Sequence, residues 1–384
     1  MAQWNRVPLI DYIELIGGGT PKTTVPEYWN GNIPWLSVKD FNNDKRYVYS
    51  TEKHISQSGF ENSPTKMLHK DDIIISARGT VGEIAMIPFD MAFNQSCYGI
   101  RVSRGIDKPF LYYLLKNCIS QLKRMTHGSV FDTITRDTFA NIEVDIPDAE
   151  TQKRISSVLA DIDNKIEVND AINDNLQQQA AALFSSLYDR TNTEVRFTDL
   201  IQILGGGTPK TGENTYWNGN IAFFTPKDVG TPYTLITEKT ITEEGLSHCN
   251  SRLYPVNTVF VTARGTVGKV GMSGVPMAMN QSCYALVGKE THQLLVYFYT
   301  LKVVDRLKHK ASGAVFDAIT TKDFESEQIM KLSDDDARAF LCIAEPMFQK
   351  VLNNCIENLR LSTLRDSLLP KLMSGEIDVS AVQL

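Results

Sequence analysis

Two segments of the chain repeat a pattern of apolar positions every seven residues. The first set is Ile155, Ile162, Asn169, Leu176 and Leu183, and the second is Phe340, Met347, Asn354, Leu361 and Leu368. A sustained seven-residue apolar repeat is typical of a coiled-coil seam, and one Asn on the seam fixes the register of the partners. The pattern therefore predicts two long helices that pair with each other.

The ends and the centre of these helices give more specific expectations. Asp148 and Ser333 are good N-cap residues immediately before the two patterns. If the helices are antiparallel, Asn169 and Asn354 should meet at the centre; alternatively each Asn faces solvent. Pro346 lacks a backbone donor, so we expect it to kink or restart the second helix and to make the first turns of the two helices differ.

The segments outside the helices read as mixed structure. The runs DIIISA and TVFVTA are short and β-rich, whereas FLYYLLKNCISQLKRM and LVYFYTLKVVDRLKHK have helical spacing. We predict α+β domains over 1–150 and 191–333, separated by helical segments over 151–190 and 334–384.

The two predicted domains are copies of one sequence. The shared blocks are GGGTPKT from Gly17 and Gly205, YWNGNI from Tyr28 and Tyr216, TEK from Thr51 and Thr237, ARGTVG from Ala77 and Ala263, NQSCY from Asn94 and Asn280, and GSVFDTIT from Gly128 matching GAVFDAIT from Gly313. The copies diverge most between residues 41–50 and 229–236. Duplication with divergence at one place predicts a common scaffold that presents two different surfaces.

Composition limits the class of protein. The 384 residues are 42% apolar and 22% charged, and no apolar run is long enough to cross a bilayer. The six cysteines contain no CxxC pair, so we expect free thiols, and the histidines do not repeat between the copies, so we expect no metal site. Because the sequence contains no long apolar run, we expect a cytoplasmic protein. A net charge of −6 argues against strong global attraction to nucleic acid, although a local basic face on each domain stays open.

Motifs for catalysis are poorly matched. The glycine run fits neither GxxxxGK[ST] nor GxGxxG, so a tight turn explains it better than a nucleotide loop. Pro147, Asp148, Asp163 and Lys165 satisfy a loose nuclease pattern, but Asp163 and Lys165 fall on a predicted helix about 22 Å along from Asp148 at ~1.5 Å per residue. No nucleophile elbow and no Asn-Pro-Pro-aromatic motif occurs in the sequence.

The ordered motifs resemble the specificity subunit of type I restriction-modification enzymes. The resemblance rests on GGTP, WNG, ARGTVG, NQ and GS in order, on IPDAETQKRISSVLADIDNKIE and on LRDSLLPKLMSGEIDV near the end, so it covers nearly the whole chain. It implies two target recognition domains, each reading half of a bipartite double-stranded DNA sequence, separated by helices that form an antiparallel coiled coil.

The resemblance also implies partners. Such a chain is non-catalytic and has no cofactor or metal of its own. It binds two DNA methyltransferase subunits, which methylate adenine N6 with S-adenosylmethionine, and two restriction subunits, which use ATP and Mg²⁺. The open alternative is a coiled-coil adaptor whose duplicated domains bind proteins and show no salt-dependent DNA binding.

The repeat itself separates two kinds of DNA contact. Residues common to both copies cannot distinguish two half-sites, so they are candidates for phosphate contacts: Thr20, Lys22, Lys39, Arg78, Thr208, Lys210, Lys227 and Arg264. Arg78 and Arg264 could instead pair with Asp40 and Asp228.

Base-reading residues are expected mainly where the copies diverge. The candidates are Lys45, Arg46 and Tyr47 in the first copy and Thr231, Tyr233 and Thr234 in the second, together with Asn94, Gln95, Asn280 and Gln281. The alternatives are an ordinary variable loop for the first six residues and loop-capping roles for the last four.

Overall fold

The computed structural model describes residues 4–126, 133–230, 232–310 and 318–380. The chain divides into two compact units, the first comprising Met1–Glu167 with Leu359–Leu384 and the second Val168–Asn358. Each unit therefore contains one copy of the repeat and parts of both predicted long helices.

The described residues of the first unit form short strands and mostly short helices. The strands are β1 (Asn5–Pro8), β2 (Ile13–Gly17), β3 (Trp29–Leu36), β4 (Lys53–Ile55), β5 (Met67–Leu68), β6 (Ile73–Ser76), β7 (Ile84–Met86), β8 (Met91–Phe93), β9 (Cys97–Val102) and β10 (Glu143–Ile146). The helices are α1 (Val38–Phe41), α2 (Gln57–Glu61), α3 (Lys108–Thr126), α4 (Arg136–Ala140) and α5 (Ala149–Tyr188).

The second unit has a similar order of elements in its described residues, without equivalents of α1 and β5 and with one additional strand, β14. The strands are β11 (Glu194–Arg196), β12 (Ile201–Gly205), β13 (Trp217–Phe224), β14 (Tyr233–Thr234), β15 (Lys239–Ile241), β16 (Val259–Thr262), β17 (Val270–Ser273), β18 (Met277–Met279), β19 (Cys283–Gly288) and β20 (Gln328–Met330). The helices are α6 (Phe197–Leu200), α7 (Glu243–Ser247), α8 (Gln293–Lys310), α9 (Thr321–Ser326) and α10 (Asp334–Met373).

The strands pair similarly in both units, but in the part of the chain that the structure describes the first sheet of the second unit has an additional strand, β14, and its second sheet has no equivalent of β5. Within the described residues, β2-β9-β6-β7 and β4-β3-β8-β5 are the main sheets of the first unit, and β12-β19-β16-β17-β14 and β15-β13-β18 are those of the second. Strand β6 is buried on both faces, which is why its sequence, IIIS, is apolar without alternation. The predicted α+β class with a duplicated domain is confirmed.

The core of each unit joins its sheet to a helix and to the long helices. In the first unit Ile73 and Ile75 of β6 share one buried cluster with Phe110 of α3, Ile155 of α5 and Leu372 of α10. In the second, Val259 and Val261 of β16 share a cluster with Phe298, Phe184 and Phe340. The sheets of each unit are thus packed against the long helices through apolar side chains.

Helices α5 and α10 run antiparallel where they pair. Within the second unit, residues 169, 173 and 184 of α5 contact residues 358, 354 and 340 of α10, so one numbering rises as the other falls. The predicted antiparallel coiled coil is confirmed. The predicted caps also form, since Asp148 accepts from the Thr151 backbone N–H at 2.9 Å and Ser333 accepts from that of Asp336 at 3.1 Å.

The seam asparagines are buried, so the solvent-facing alternative is wrong. Asn169 and Asn354 are both fully buried. Their recorded bonds are offset by one helical turn: the Asn169 amide donates to Asn358 Oδ1, and the Asn354 amide donates to Asn173 Oδ1, each at 2.8 Å. The two pairs are equivalent in the repeat, because Asn169 corresponds to Asn354 and Asn173 to Asn358, and a direct contact of Asn169 with Asn354 stays a prediction.

The expectation for Pro346 needs correction. Helix α10 continues from Asp334 to Met373 through Pro346 and does not restart there. Both long helices have 40 residues and begin at equivalent positions of the repeat, so their first turns do match. Burial of Ala344 and Phe348 on either side of the proline provides apolar packing that offsets the lost backbone bond.

Candidate nucleic-acid interface

The repeated GGGTPK turn is held by close backbone packing. A Cβ atom on Gly18 would lie 2.1 Å from the Asn94 carbonyl oxygen, and one on Gly206 would lie 2.3 Å from that of Asn280. The Gly19 N–H donates to the Phe93 carbonyl at 3.0 Å. Only glycine permits this approach, so the motif is repeated for structural reasons and the turn explanation holds over a nucleotide loop.

The turn also carries a repeated side-chain pair. The Thr20 hydroxyl donates to Gln95 Oε1, and the Thr208 hydroxyl donates to Gln281 Oε1. Two candidates of different predicted kinds, a phosphate contact and a base reader, therefore lie together in each unit. The pair links the glycine turn to the NQSCY block.

The ARGTVG block forms a tight loop whose base is buried. Ser76 is fully buried; its hydroxyl donates to the Thr80 carbonyl and accepts from the Glu83 N–H at 2.8 Å. Gly79 and Gly82 have φ of 80° and 87°, a conformation that favours glycine. This arrangement holds Arg78 at the exposed tip of the loop.

The structure brings repeated residues together in one cleft in each unit. The first cleft has a volume of about 440 Å³ and is lined by Lys39, Lys53, Arg78 and Asn94, with Glu52 as its acidic residue. The second cleft, of about 470 Å³, is lined by their equivalents Lys227, Lys239, Arg264, Asn280 and Glu238. Three cationic side chains against one carboxylate give each cleft a local positive charge despite the acidic chain.

Lys53 and Lys239 were missed as candidates. The Lys53 ammonium lies 5.6 Å from the centre of the Trp29 ring, and the Lys239 ammonium lies 5.7 Å from that of Trp217. Both lysines belong to the TEK block that the two copies share. Because both copies contain this block, the repeat could have identified the two lysines as candidates for phosphate contacts.

The internal ion pair considered for Arg78 does not form. Asp40 accepts from the Ser37 N–H at 2.7 Å and from the Glu52 N–H at 2.8 Å, so its carboxylate organises the loop. Asp228 does the same for Thr225 and Glu238. Arg78 and Arg264 are exposed and have no ion pair within the described ranges, which leaves both cations accessible to an anion.

The other repeated candidates have mixed surroundings. Lys22 and Lys210 are exposed, and their carbonyl oxygens accept from the indole N–H groups of Trp29 and Trp217. Asn94 Oδ1 accepts from the Ser96 N–H at 3.1 Å, which is the loop-capping arrangement, although Asn94 also lines the first cleft. Asn280 is placed in the same way in the second unit.

The candidates from the divergent segment of the second unit lie in its interior. Tyr233 and Thr234 form β14 and are 8% and 3% exposed. The Tyr233 hydroxyl donates to Asn257 Oδ1 at 3.0 Å, and burial raises the pKa of Tyr233. A base-reading side chain must reach the surface, so we do not retain these two residues as DNA contacts. Thr231 lies outside the described residues.

The divergent segments 41–50 and 229–236 share one feature of strand pairing, which the sequence analysis did not identify. Tyr47 bridges to Met86 in parallel, as Tyr233 pairs with Met272. The common Tyr, four residues before the common TEK block, was a usable signal. The Arg46 side chain is only 10% exposed and Tyr47 is half-buried, so both have less surface for a base contact than Lys45, which is exposed.

The cysteines near the two clefts are buried. Burial raises the pKa of Cys97 and of Cys283 to about 12, so neither thiol near the clefts is an activated nucleophile at neutral pH. Among the described residues, His, Cys, Asp and Glu side chains do not gather in the groups of three that a metal ion needs. In the same part of the chain, the helices lack the combined length and apolarity that a membrane span requires.

Two known proteins of similar sequence are specificity subunits of type I restriction enzymes. The MjaIX specificity subunit of a type I restriction enzyme from Methanocaldococcus jannaschii is 24% identical over 406 residues, which cover 98% of this chain and 94% of the relative. The HindI specificity subunit from Haemophilus influenzae is 24% identical over 70% of this chain and 77% of its own length.

A solved structure supports the fold. The crystal structure of the type I restriction-modification S subunit from M. genitalium aligns with a TM-score of 0.57 at 15% identity, over 97% of this chain and 96% of that one. Residues 1–178 and 190–331 match the family described as the type I restriction modification DNA specificity domain. Since these ranges cover most of the sequence, the chain belongs to the type I restriction-modification DNA specificity family.

Proposed function

We propose that this chain is the non-catalytic DNA specificity subunit of a type I restriction-modification complex, and that each unit binds one half of a bipartite target through its cleft. The observation that carries the proposal is the residue-by-residue repetition of the clefts. Lys39, Lys53 and Arg78 in the first are matched by Lys227, Lys239 and Arg264 in the second. Family membership supplies the DNA ligand.

The chemistry of the clefts suits the DNA backbone. Lysine and arginine side chains bind phosphate oxygens without distinguishing the bases, so identical cations can serve two different half-sites. The set we propose for phosphate contact is Thr20, Lys22, Lys39, Lys53 and Arg78 with Thr208, Lys210, Lys227, Lys239 and Arg264. Base contacts that differ between the half-sites are assigned to Lys45, and contacts to base features common to both half-sites are assigned to Asn94, Gln95, Asn280 and Gln281.

The proposed division of labour follows the repeat. Residues 1–150 and 191–333 act as target recognition domains, and the helical segments 151–190 and 334–384 join them. The buried Asn pairs of the helices support a fixed register between those segments, because a polar pair in an apolar seam disfavours alternative registers.

The partners follow from the same proposal. Two methyltransferase subunits would methylate adenine N6 with S-adenosylmethionine, and two restriction subunits would use ATP and Mg²⁺. These cofactors belong to the partner subunits, and the complex acts on DNA in the cytoplasm. This chain contributes the choice of sequence.

Sequencing of N6-methyladenine in the host genome tests this function. Cells with the chain should carry methylated adenines in one bipartite, asymmetric motif, and cells lacking it should lose methylation at that motif alone. As a matched control, cells supplied with the wild-type chain should recover the motif. Unchanged methylation on deletion would contradict the proposal.

A further inference from the structure

The two units differ sharply at the place where the recognition domain meets the long helices. In the first unit, Arg365 of α10 is 3% exposed and its guanidinium contacts three carboxylates: Asp163 at 2.9 Å, Asp44 at 2.7 Å and Asp366 at 2.8 Å. Asp163 also accepts from the Tyr113 hydroxyl at 2.6 Å. We call these residues the Arg365 network.

The second unit has apolar residues at the same positions of the repeat. Asp163 corresponds to Phe348, Tyr113 to Phe298 and Arg365 to Ala180. The rings of Phe298 and Phe348 lie 5.5 Å apart, and Ala180 is fully buried. At these positions the first unit therefore adds buried charges to its apolar packing against the helices, whereas the second unit has aromatic packing alone.

The Arg365 network includes a residue of the divergent segment 41–50 of the first unit, which we call the divergent loop. Asp44 lies in that loop, where it accepts from Lys116 as well as from Arg365, each at 2.7 Å. Burial alone would raise the pKa of Asp44, but Lys116 and Arg365 outweigh it and hold the pKa below its ordinary value. The carboxylate is therefore stabilised in the charged form that the two cations need.

A second contact attaches the same loop to α5. The Arg46 guanidinium lies 3.2 Å from Glu167 and also donates to Asn164, and it stacks 4.9 Å from the centre of the Tyr47 ring. Its side chain is 10% exposed. Two residues of one short loop are thus held by helix side chains.

The other end of this loop belongs to the first cleft. Lys39 and Asn42, at and just after helix α1, line the cleft, and Asp44 follows Asn42 by two residues. A displacement of the loop from the helices therefore moves cleft residues. The divergent segment of the second unit is two residues shorter and has neither charge, with Gly230 and Pro232 in the corresponding stretch.

We propose that Asp44 and Arg46 are positioning residues, which fix the first cleft against the helices through Arg365 and Glu167, and that only the half-site read by the first unit depends on this electrostatic attachment. The inference rests on the proposed DNA recognition. In this proposal, Asp44 and Arg46 of the divergent loop position the cleft and do not read bases.

The test uses the full chain assembled with its methyltransferase subunits and three DNA duplexes: the methylated motif, and the same motif with either half scrambled. Asp44→Asn removes one charge and retains a residue that tolerates the φ of 55° at this position. We expect discrimination of the first half-site to fall about fivefold and that of the second to stay unchanged.

Asp366→Asn is the matched control. It removes an equally exposed carboxylate from the same guanidinium, but Asp366 lies on α10 beside Arg365 and does not attach the loop. Discrimination should stay near that of the wild type. An equal loss in both variants, an equal loss at both half-sites, or no loss with Asp44→Asn would overturn the proposal.

A charge exchange separates positioning from base reading. Arg46→Glu should weaken discrimination of the first half-site, and Arg46→Glu with Glu167→Arg should restore it, because the pair is re-formed in reverse. A base-reading Arg46 would not be rescued. If the wild-type complex fails to discriminate any duplex, the proposed function itself is wrong, an outcome distinct from all of these.

Discussion

Arg365 Nη1 lies 2.9 Å from Asp163 Oδ1, and the two side chains are 3% and 4% exposed. Burial opposes the charged form of Arg365, but its bonds to Asp366 and Asp163 outweigh this and raise its pKa. A buried ion pair is costly to form and more costly to break, because removal of one member leaves the other charge unpaired. The pair therefore gives a sharp test of the packing described for the first unit.

Arg365→Ala should lower the free energy of unfolding by about 3 kcal/mol, since Asp163 then has no buried cation. The measurement is urea denaturation of the full chain. The triple variant Tyr113→Phe, Asp163→Phe, Arg365→Ala introduces the residues of the second unit and should recover at least half of that loss. A triple variant no more stable than the single one would show that the two attachments are not interchangeable.

The buried asparagine pairs predict that the effect of one Asn substitution on stability depends on the residue with which that Asn is paired. Asn354→Leu removes the donor for the buried Asn173 Oδ1, so it should destabilise the chain by ~1–3 kcal/mol, the cost of an unpaired buried polar group. Asn173→Leu with Asn354→Leu removes both groups and should be less destabilised than the single variant. Strictly additive losses in a double-mutant cycle would contradict the pairing.

Acid should weaken the attachment of the divergent loop. The pKa of Asp44 is lowered in the folded state, so its contribution to stability is full above its ordinary pKa of 3.8 and is lost as the pH falls through the lower folded value. The difference in urea midpoint between wild type and Asp44→Asn should therefore be largest at neutral pH and shrink below pH 3.8. A difference that does not change with pH would count against this account of Asp44.

The clefts predict a specific salt dependence. Each phosphate contact contributes about 0.9 to the slope of log affinity against log salt. Lys39→Gln with Arg78→Gln should reduce the slope of the assembled complex by about two. The matched pair Lys227→Gln with Arg264→Gln should have the same effect through the second cleft. An unchanged slope in either double variant would remove that cleft from the DNA interface.

Much of the fold could be predicted because two regularities recur in the sequence. The seven-residue pattern determined the long helices and their caps at Asp148 and Ser333. The expected restart at Pro346 does not occur, because the packing of Ala344 and Phe348 outweighs the local backbone cost. The one-turn offset of the Asn pairs required knowledge of how the helix faces meet, which a single heptad position does not provide.

The candidate site was only partly predictable. Lys39, Arg78 and Asn94 could be chosen from the repeat because shared residues include the cleft lining. Sequence divergence between the two copies was a poor guide to base contacts. Tyr233 and Thr234 belong to the divergent segment 229–236, yet they lie in a buried edge strand. The exposure of a side chain depends on long-range strand pairing, which local sequence does not reveal.

The most direct measurement exchanges one recognition domain. Residues 9–146 would be replaced by the corresponding segment of the Methanocaldococcus jannaschii relative, and N6-methyladenine would be sequenced in cells that carry the exchanged chain with its partner subunits. We predict a motif in which one half-site changes and the other half-site is retained. A motif that stays the same in both halves, or one that changes in both halves, would contradict the claim that each unit reads its own half of the target.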